Sequence, residues 1–221
     1  MTWAEVVKIN RNMKKTLNEQ LRELNCSPIE VIEETTSYKP SKTGLYRVIC
    51  VGAGGTGWSG NINNFDDRAV SGGGGGVSVK DLKLSASTSY SVTISTTASF
   101  GNILTATAGE TGTKTHASDK TAPVGGTASG GDYNFKGLLG EVALNDNTPA
   151  KGGSVGVAIA ELTRSIVMAD NFYSQLIYGD SILRYGGGAP AVESDTDIAT
   201  MQFNPQGLPA AVLIIPLELE V

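Results

Sequence analysis

The residues whose type and spacing come closest to chemistry are the glycines of Val48-Ile-Cys-Val-Gly-Ala-Gly-Gly-Thr-Gly57. An apolar strand running into a Gly-x-Gly-Gly-x-Gly turn has the outline of a dinucleotide site, in which glycines let a helix N-terminus close on a pyrophosphate. That chemistry needs a helix directly after the turn and an acidic residue about 20 positions further on. Here Trp58-Ser-Gly-Asn-Ile-Asn-Asn-Phe-Asp-Asp67 carries no helical stripe, and five glycines, Gly72 to Gly76, come shortly after. A nucleotide-binding enzyme using Gly52–Gly57 is therefore kept only as the alternative from another functional class. Glycines without Cβ also have a structural reading, as close backbone packing, left-handed turns or short polyglycine II segments that bundle through backbone hydrogen bonds. Gly125, Gly126, Gly130, Gly131 and Gly186 to Gly188 fall under the same account.

The other reactive side chains are sparse. His116 is the only histidine and lies in a Thr/Ser/Gly stretch, so a nucleophilic triad lacks its base, and no metal cluster or cofactor site is expected. Cys26 and Cys50 have no partner at ligand spacing and are expected as two free, buried thiols. The acidic pairs Asp66 with Asp67 and Asp195 with Asp197 would suit a glycosidase only at a fixed separation, and are read as solvated loop acids. Binding is the chemistry that remains. Trp58, Asn61, Asn63, Asn64, Phe65, Asp66 and Asp67, and further on Tyr133, Asn134 and Phe135, combine aromatic faces with amides and carboxylates in loops, a mixture suited to a sugar ring and its fringe of hydroxyls. Their other reading is as cover for the edge of the core.

The elements that must position these loops divide the chain into residues 1–27 and 28–221. Thr2 with Glu5 makes a capping box, and apolar residues recur with helical period to Leu24. In heptads, Trp3, Asn10, Leu17 and Leu24 share one seam position and Val6, Met13 and Gln20 the other, with Leu21 beside them; the lone Asn10 suits a register-setting role. This stripe is expected to drive self-association or attachment to a partner, the alternative being packing on the chain's own β-domain. Pro28 ends the helix. Beyond it, short β-rich runs separated by Gly, Ser, Thr, Asn and Pro predict a mainly β domain. These runs are Val31-Ile32, Leu45 to Val51, Val77 to Leu84, Tyr90 to Ile94, Ile103 to Thr107, Val142 with Leu144, Val155 to Ile159, and Ala211 to Val221. The first strong run and Val212 to Ile215 are expected to pair. Gly109 to Gly131 and Tyr185 to Gln206 read as long surface loops.

Composition narrows function by exclusion. The chain has 221 residues, a net charge of -5 and no basic cluster, so nucleic-acid binding is not expected. Its longest apolar run, Ala210 to Ile215, is far short of a membrane span, and no signal-peptide core opens the sequence. Assembly in a bacterial host cytoplasm is the expected setting.

Several motifs together resemble the glycine-rich domains of phage tail and tail-fibre structural proteins. They are Lys39-Pro40, Gly44-Leu-Tyr-Arg-Val48 running into Gly52 to Gly55, Gly72 to Val79, Ser89 to Ile94, Phe100-Gly101 and Ala106 to Gly109. Thr2-Trp-Ala-Glu-Val-Val-Lys-Ile-Asn10 with Leu17-Asn-Glu-Gln20 is similar to the start of small structural proteins in prophages of Firmicutes. The resemblance implies a virion protein, often a homotrimer, that attaches to other tail or head proteins by its N-terminus and presents loops to host cell-surface polysaccharide. The expectation is thus a helix followed by a jelly-roll-like β-sandwich with glycine-rich loops, binding host glycan and making or breaking no bond. A passive head-fibre or decoration protein is the alternative within the structural class.

Overall fold

Alternating or continuous runs of β-branched and aromatic residues form strands because such side chains fit a pleated, partly buried surface. The computed structural model describes residues 30–61, 67–113, 115–116, 121–142, 150, 152–153, 155, 185–188, 192–194 and 206–220. The strands in chain order are β1 (Glu30–Ile32), β2 (Thr36–Tyr38), β3 (Gly44–Val51), β4 (Ser59–Asn61), β5 (Asp67–Arg68), β6 (Val77–Leu84) and β7 (Tyr90–Ile94). They continue as β8 (Ala98–Phe100), β9 (Leu104–Ala106), β10 (Thr115–His116), β11 (Ala128–Ser129), β12 (Tyr133–Phe135), β13 (Val192–Ser194) and β14 (Ala211–Leu219). Among the described residues there is no helix. The helix expected over Thr2 to Leu24, with Trp3, Val6, Asn10, Met13, Leu17, Leu21 and Leu24, lies outside them, as does Cys26.

The protein is mainly β, with two antiparallel five-stranded sheets in the orders β1-β14-β3-β6-β12 and β11-β9-β8-β7-β2. The expected pairing of the first strong strand with the last is present: Val212 opposes Cys50, Leu213 opposes Ile49 and Ile214 opposes Val48. Pro216 sits at a register shift in β14, where a residue without an N–H costs the ladder least. β3 alternates in exposure from Gly44 to Arg47 and is buried throughout from Val48 to Val51, where its sheet is covered on both faces. Tyr46, Val48, Cys50, Val212 and Ile214 meet Val92, Phe100 and Leu104 of the second sheet. Ile49, Val51, Val77, Val79, Leu213 and Ile215 form a second cluster behind, joined by Tyr185. Each such aliphatic chain taken out of water contributes about 1.5–3 kcal/mol. Burial between the sheets pushes the Cys50 thiol up to about 12, so it stays protonated and inert.

At one end of the sheets glycine-rich stretches continue the strands as extended segments and pack into a bundle. Gly52 to Gly57 and Gly72 to Gly76, for which close backbone packing is one reading of the sequence, are joined there by parts of Gly109 to Gly131, which reads as a surface loop. Gly52 to Gly57 follows β3, Ser71 to Gly76 precedes β6, Thr107 to Gly112 follows β9, Pro123 to Thr127 precedes β11, and Lys136 to Gly140 follows β12. Gly72 to Gly76 runs through the middle. Its amides turn in three directions: Gly73 and Gly76 donate to the carbonyls of Glu110 and Thr107, Ser71 and Gly74 to those of Glu141 and Leu138, and Gly75 to that of Gly186. Its carbonyls turn in three more. Those of Val70, Gly73 and Gly76 accept from Trp58, Gly55 and Gly52, that of Gly74 from Gly126, and that of Gly72 from Gly153. Partners recurring every third residue are the mark of a threefold, polyproline-II-like backbone. With six directions filled by six neighbouring segments, the central chain has no face left for a side chain. A Cβ on Gly75 would run into the carbonyl of Gly52, and one on Gly76 into that of Thr127.

A pair of substitutions separates this steric demand from ordinary glycine flexibility. Gly101 has φ of 54° with open space around its Cβ position, so Gly101→Ala should cost only about 1 kcal/mol of left-handed strain. Gly75→Ala should cost more than about 4 kcal/mol in denaturant unfolding, or yield no folded protein. Equal, small losses for both would contradict a close-packed bundle.

Candidate functional site

Because each bundle segment extends a strand from the same end of the sheets, the connections between segments are carried together to the far end. Five residues of such backbone span roughly 15 Å. The connection after Gly57 is the hub of this distal face. Within it, β4 pairs in parallel with β13, Ser59 opposing Val192 and Asn61 opposing Ser194. β5 pairs antiparallel with β10, which sets Arg68 opposite Thr115 and Asp67 opposite His116. Val70 bridges to Val142. Ser71, fully buried beneath, accepts the Glu141 N–H at its hydroxyl at 2.7 Å. Loops distant in sequence are thus stitched into one surface.

The expected sugar-binding residues do not form a single aromatic cluster. Trp58 belongs to the distal face, but it is half-buried and packs against Ala69 and Ala150. Asn61 ends β4 beside β13. Asn63, Asn64 and Asp66 lie outside the described residues. Tyr133 and Phe135, read from sequence as a second loop, stand instead on the edge strand β12, opposite Val79 and Val77. The length of the central glycine segment separates them from Trp58, roughly 20 Å at about 3.1 Å per residue from Val77 to Val70. Phe135 packs on the cluster behind the first sheet, while Tyr133 is 64% exposed. Asn134 between them serves the fold, accepting from the Ser78 hydroxyl at 2.8 Å and donating to the Gly131 carbonyl at 2.8 Å.

In the Gly-x-Gly-Gly-x-Gly turn four successive amides are engaged with backbone rather than open to a phosphate: Gly52 donates to Gly76, Ala53 to Thr96, Gly54 to Leu208 and Gly55 to Gly73, at 2.8 to 2.9 Å. Among the described residues the next element after Gly57 is the strand β4, with no helix at the turn. The described residues hold no group of three or more His, Cys, Asp or Glu able to hold a metal ion. They also include no helix long and apolar enough to cross a membrane.

Sequence reasoning passed over the outer glycines of the bundle. Gly109 and Gly112, and Gly137 and Gly140, are each spaced by three, and a Cβ on any of them would meet the central segment. That spacing was the available signal. No protein-family model matches this chain, and no curated protein matches its sequence. Fold and site together define a mainly β, glycine-rich protein in which two sheets and a polyglycine bundle hold a composite distal face.

The engaged amides generate a direct expectation. NAD or ATP should leave the unfolding temperature of the protein unchanged, whereas a saturable upward shift with either would restore the nucleotide reading of Gly52 to Gly57.

Proposed function

We propose that this is a phage virion structural protein, a tail-fibre or tail-tip receptor-binding component whose distal loops bind host cell-surface glycan. In this reading residues 1–27 form the attachment helix, which carries a homotrimer or docks on other tail or head proteins. Residues 28–221 form a jelly-roll-like β-sandwich. Pairing of the first and last strands through β14 and the crossings of the chain from β1 to β2 to β3 between sheets support a jelly-roll-like path. The consecutive β7-β8-β9 meander is where it departs from two Greek keys.

The observation that carries the proposal is polarity. Glu30 lies level with Ile214 and Ile32 with Val212, so β1 runs toward the bundle and Glu30 is its residue farther from the distal face. An anchor preceding β1 and loops beyond the bundle would sit at opposite ends, as a presenting protein needs. Several copies would compensate for a weak single site.

Half-burial of Trp58 favours the second reading, a passive head-fibre or decoration protein, because the described distal residues include no exposed aromatic cluster. One experiment weighs both. The full chain, and a chain beginning at Pro28, would be compared for solution mass and for binding to purified bacterial cell-wall and capsular polysaccharides. The receptor-binding account expects a trimeric full chain, a folded monomeric truncation, and saturable binding that is abolished by replacing residues 59–68 with a Gly-Ser linker. A trimer that binds none of these polysaccharides leaves the passive reading standing.

A further inference from the structure

We propose that the protein is built to carry tension along one axis, so that a pull between the start of β1 and the distal face is resisted in shear. The use of this property rests on the reading of an anchor before β1 and a ligand at the loops; the geometry does not.

On the side of the sheet, β1 lies alongside the bundle-proximal half of β14, with Glu30 opposite Ile214, Val31 opposite Leu213 and Ile32 opposite Val212. A pull on Glu30 away from the distal face runs along β1, across its ladder hydrogen bonds, so these must yield together. Sliding also drags Ile32 out of the core between the sheets and Val31 out of the cluster behind them. Immediately after β1, the Tyr185 hydroxyl donates to the Glu33 carboxylate, a further tie across the slip plane. β14 is itself held on its other side by β3, from Ala211 opposite Val51 to Leu219 opposite Gly44.

The distal end is loaded in the same sense. Thr113 continues the segment Thr107 to Gly112, whose bonds run across the axis. Gly109 donates to Ala53 at 3.0 Å, Glu110 to Val124 at 2.9 Å and Gly112 to Thr56 at 2.8 Å, while Gly73 and Gly76 donate to its Glu110 and Thr107 carbonyls. With a three-residue repeat, the next matching register is roughly 9 Å away, so slippage cannot exchange one bond at a time. The perpendicular direction differs. Val31, Leu213, Ile49, Val79 and Tyr133 stand level across the first sheet. A pull between Glu30 and Tyr133 therefore loads ladder bonds end-on and peels β1 pair by pair.

Single-molecule pulling on the full-length chain compares the two directions within one fold. Cys26→Ser removes the first native thiol, and Cys50, buried and protonated, takes no handle while the protein is folded. One variant adds Glu30→Cys and Thr113→Cys for the axial pull; the other adds Glu30→Cys and Tyr133→Cys for the lateral pull. Glu30, Thr113 and Tyr133 are all exposed, and unfolding temperatures near that of the parent chain verify both folds. Forced unfolding is set by the barrier along the pulled direction. The axial rupture force should be severalfold the lateral one at the same loading rate. Equal forces, or a weaker axial rupture, would overturn the proposal. No receptor takes part, so this outcome is independent of whether the loops bind glycan.

Discussion

The constraint on which the rest depends is that along Gly72 to Gly76 a Cβ on Gly72, Gly73, Gly75 or Gly76 would run into the backbone of a neighbouring segment. Water is excluded from this segment, and a buried amide or carbonyl without a partner costs the full desolvation penalty, about 1–3 kcal/mol each. The threefold backbone resolves this by sending successive N–H and C=O groups to different neighbours. Collagen meets a comparable demand by placing glycine wherever the chain meets a crowded axis. Here the demand concentrates in one central run, and two outer segments meet it with glycines three apart, Gly109 with Gly112 and Gly137 with Gly140. Their remaining positions are free to carry side chains, as Glu110 and Leu138 do.

This arrangement makes the two sheets and the bundle one cooperative object. β3, β6 and β14 lie in the middle of the first sheet, and each passes directly into or out of the bundle. Val51 opposes both Val77 and Ala211 at the last rung before the strands give way to glycine. The central strand β14 is supplied by the far end of the sequence, so the core between the sheets closes only when residues separated by most of the chain meet. The bidentate pair of Arg47 with Asp81, at 2.7 and 2.9 Å on directly opposed residues, fixes the register of β3 on β6 toward the other end.

Much of the sheet structure was legible in sequence, because Leu45 to Val51, Val77 to Leu84, Tyr90 to Ile94 and Ala211 to Leu219 are long or strongly patterned. The short strands β2, β8 and β12 were not, since three residues such as Thr36-Ser-Tyr38 or Tyr133-Asn-Phe135 gain strand character only from their partners. Gly109 to Gly131 reads as a loop on composition because glycine ordinarily weakens regular structure. The role of Gly109 to Gly112 and Pro123 to Thr127 within it depends on non-local hydrogen bonds that no local propensity reports, and only the three-residue spacing of Gly109 and Gly112 hints at them. The placement of the candidate residues was illegible for the same reason: aromatic content alone does not say that Trp58 and Tyr133 stand at opposite ends of a glycine segment, which only the topology shows.

Amide hydrogen exchange at Gly73, Gly74, Gly75 and Gly76 tests the central claim most directly. The account predicts exchange as slow as that of Val48 to Cys50 in β3, through global unfolding alone, although these glycines belong to no helix or strand. Exchange at the rate of the exposed Ser87 to Ser89 turn would contradict it, because those amides would then be open to water rather than locked into the bundle.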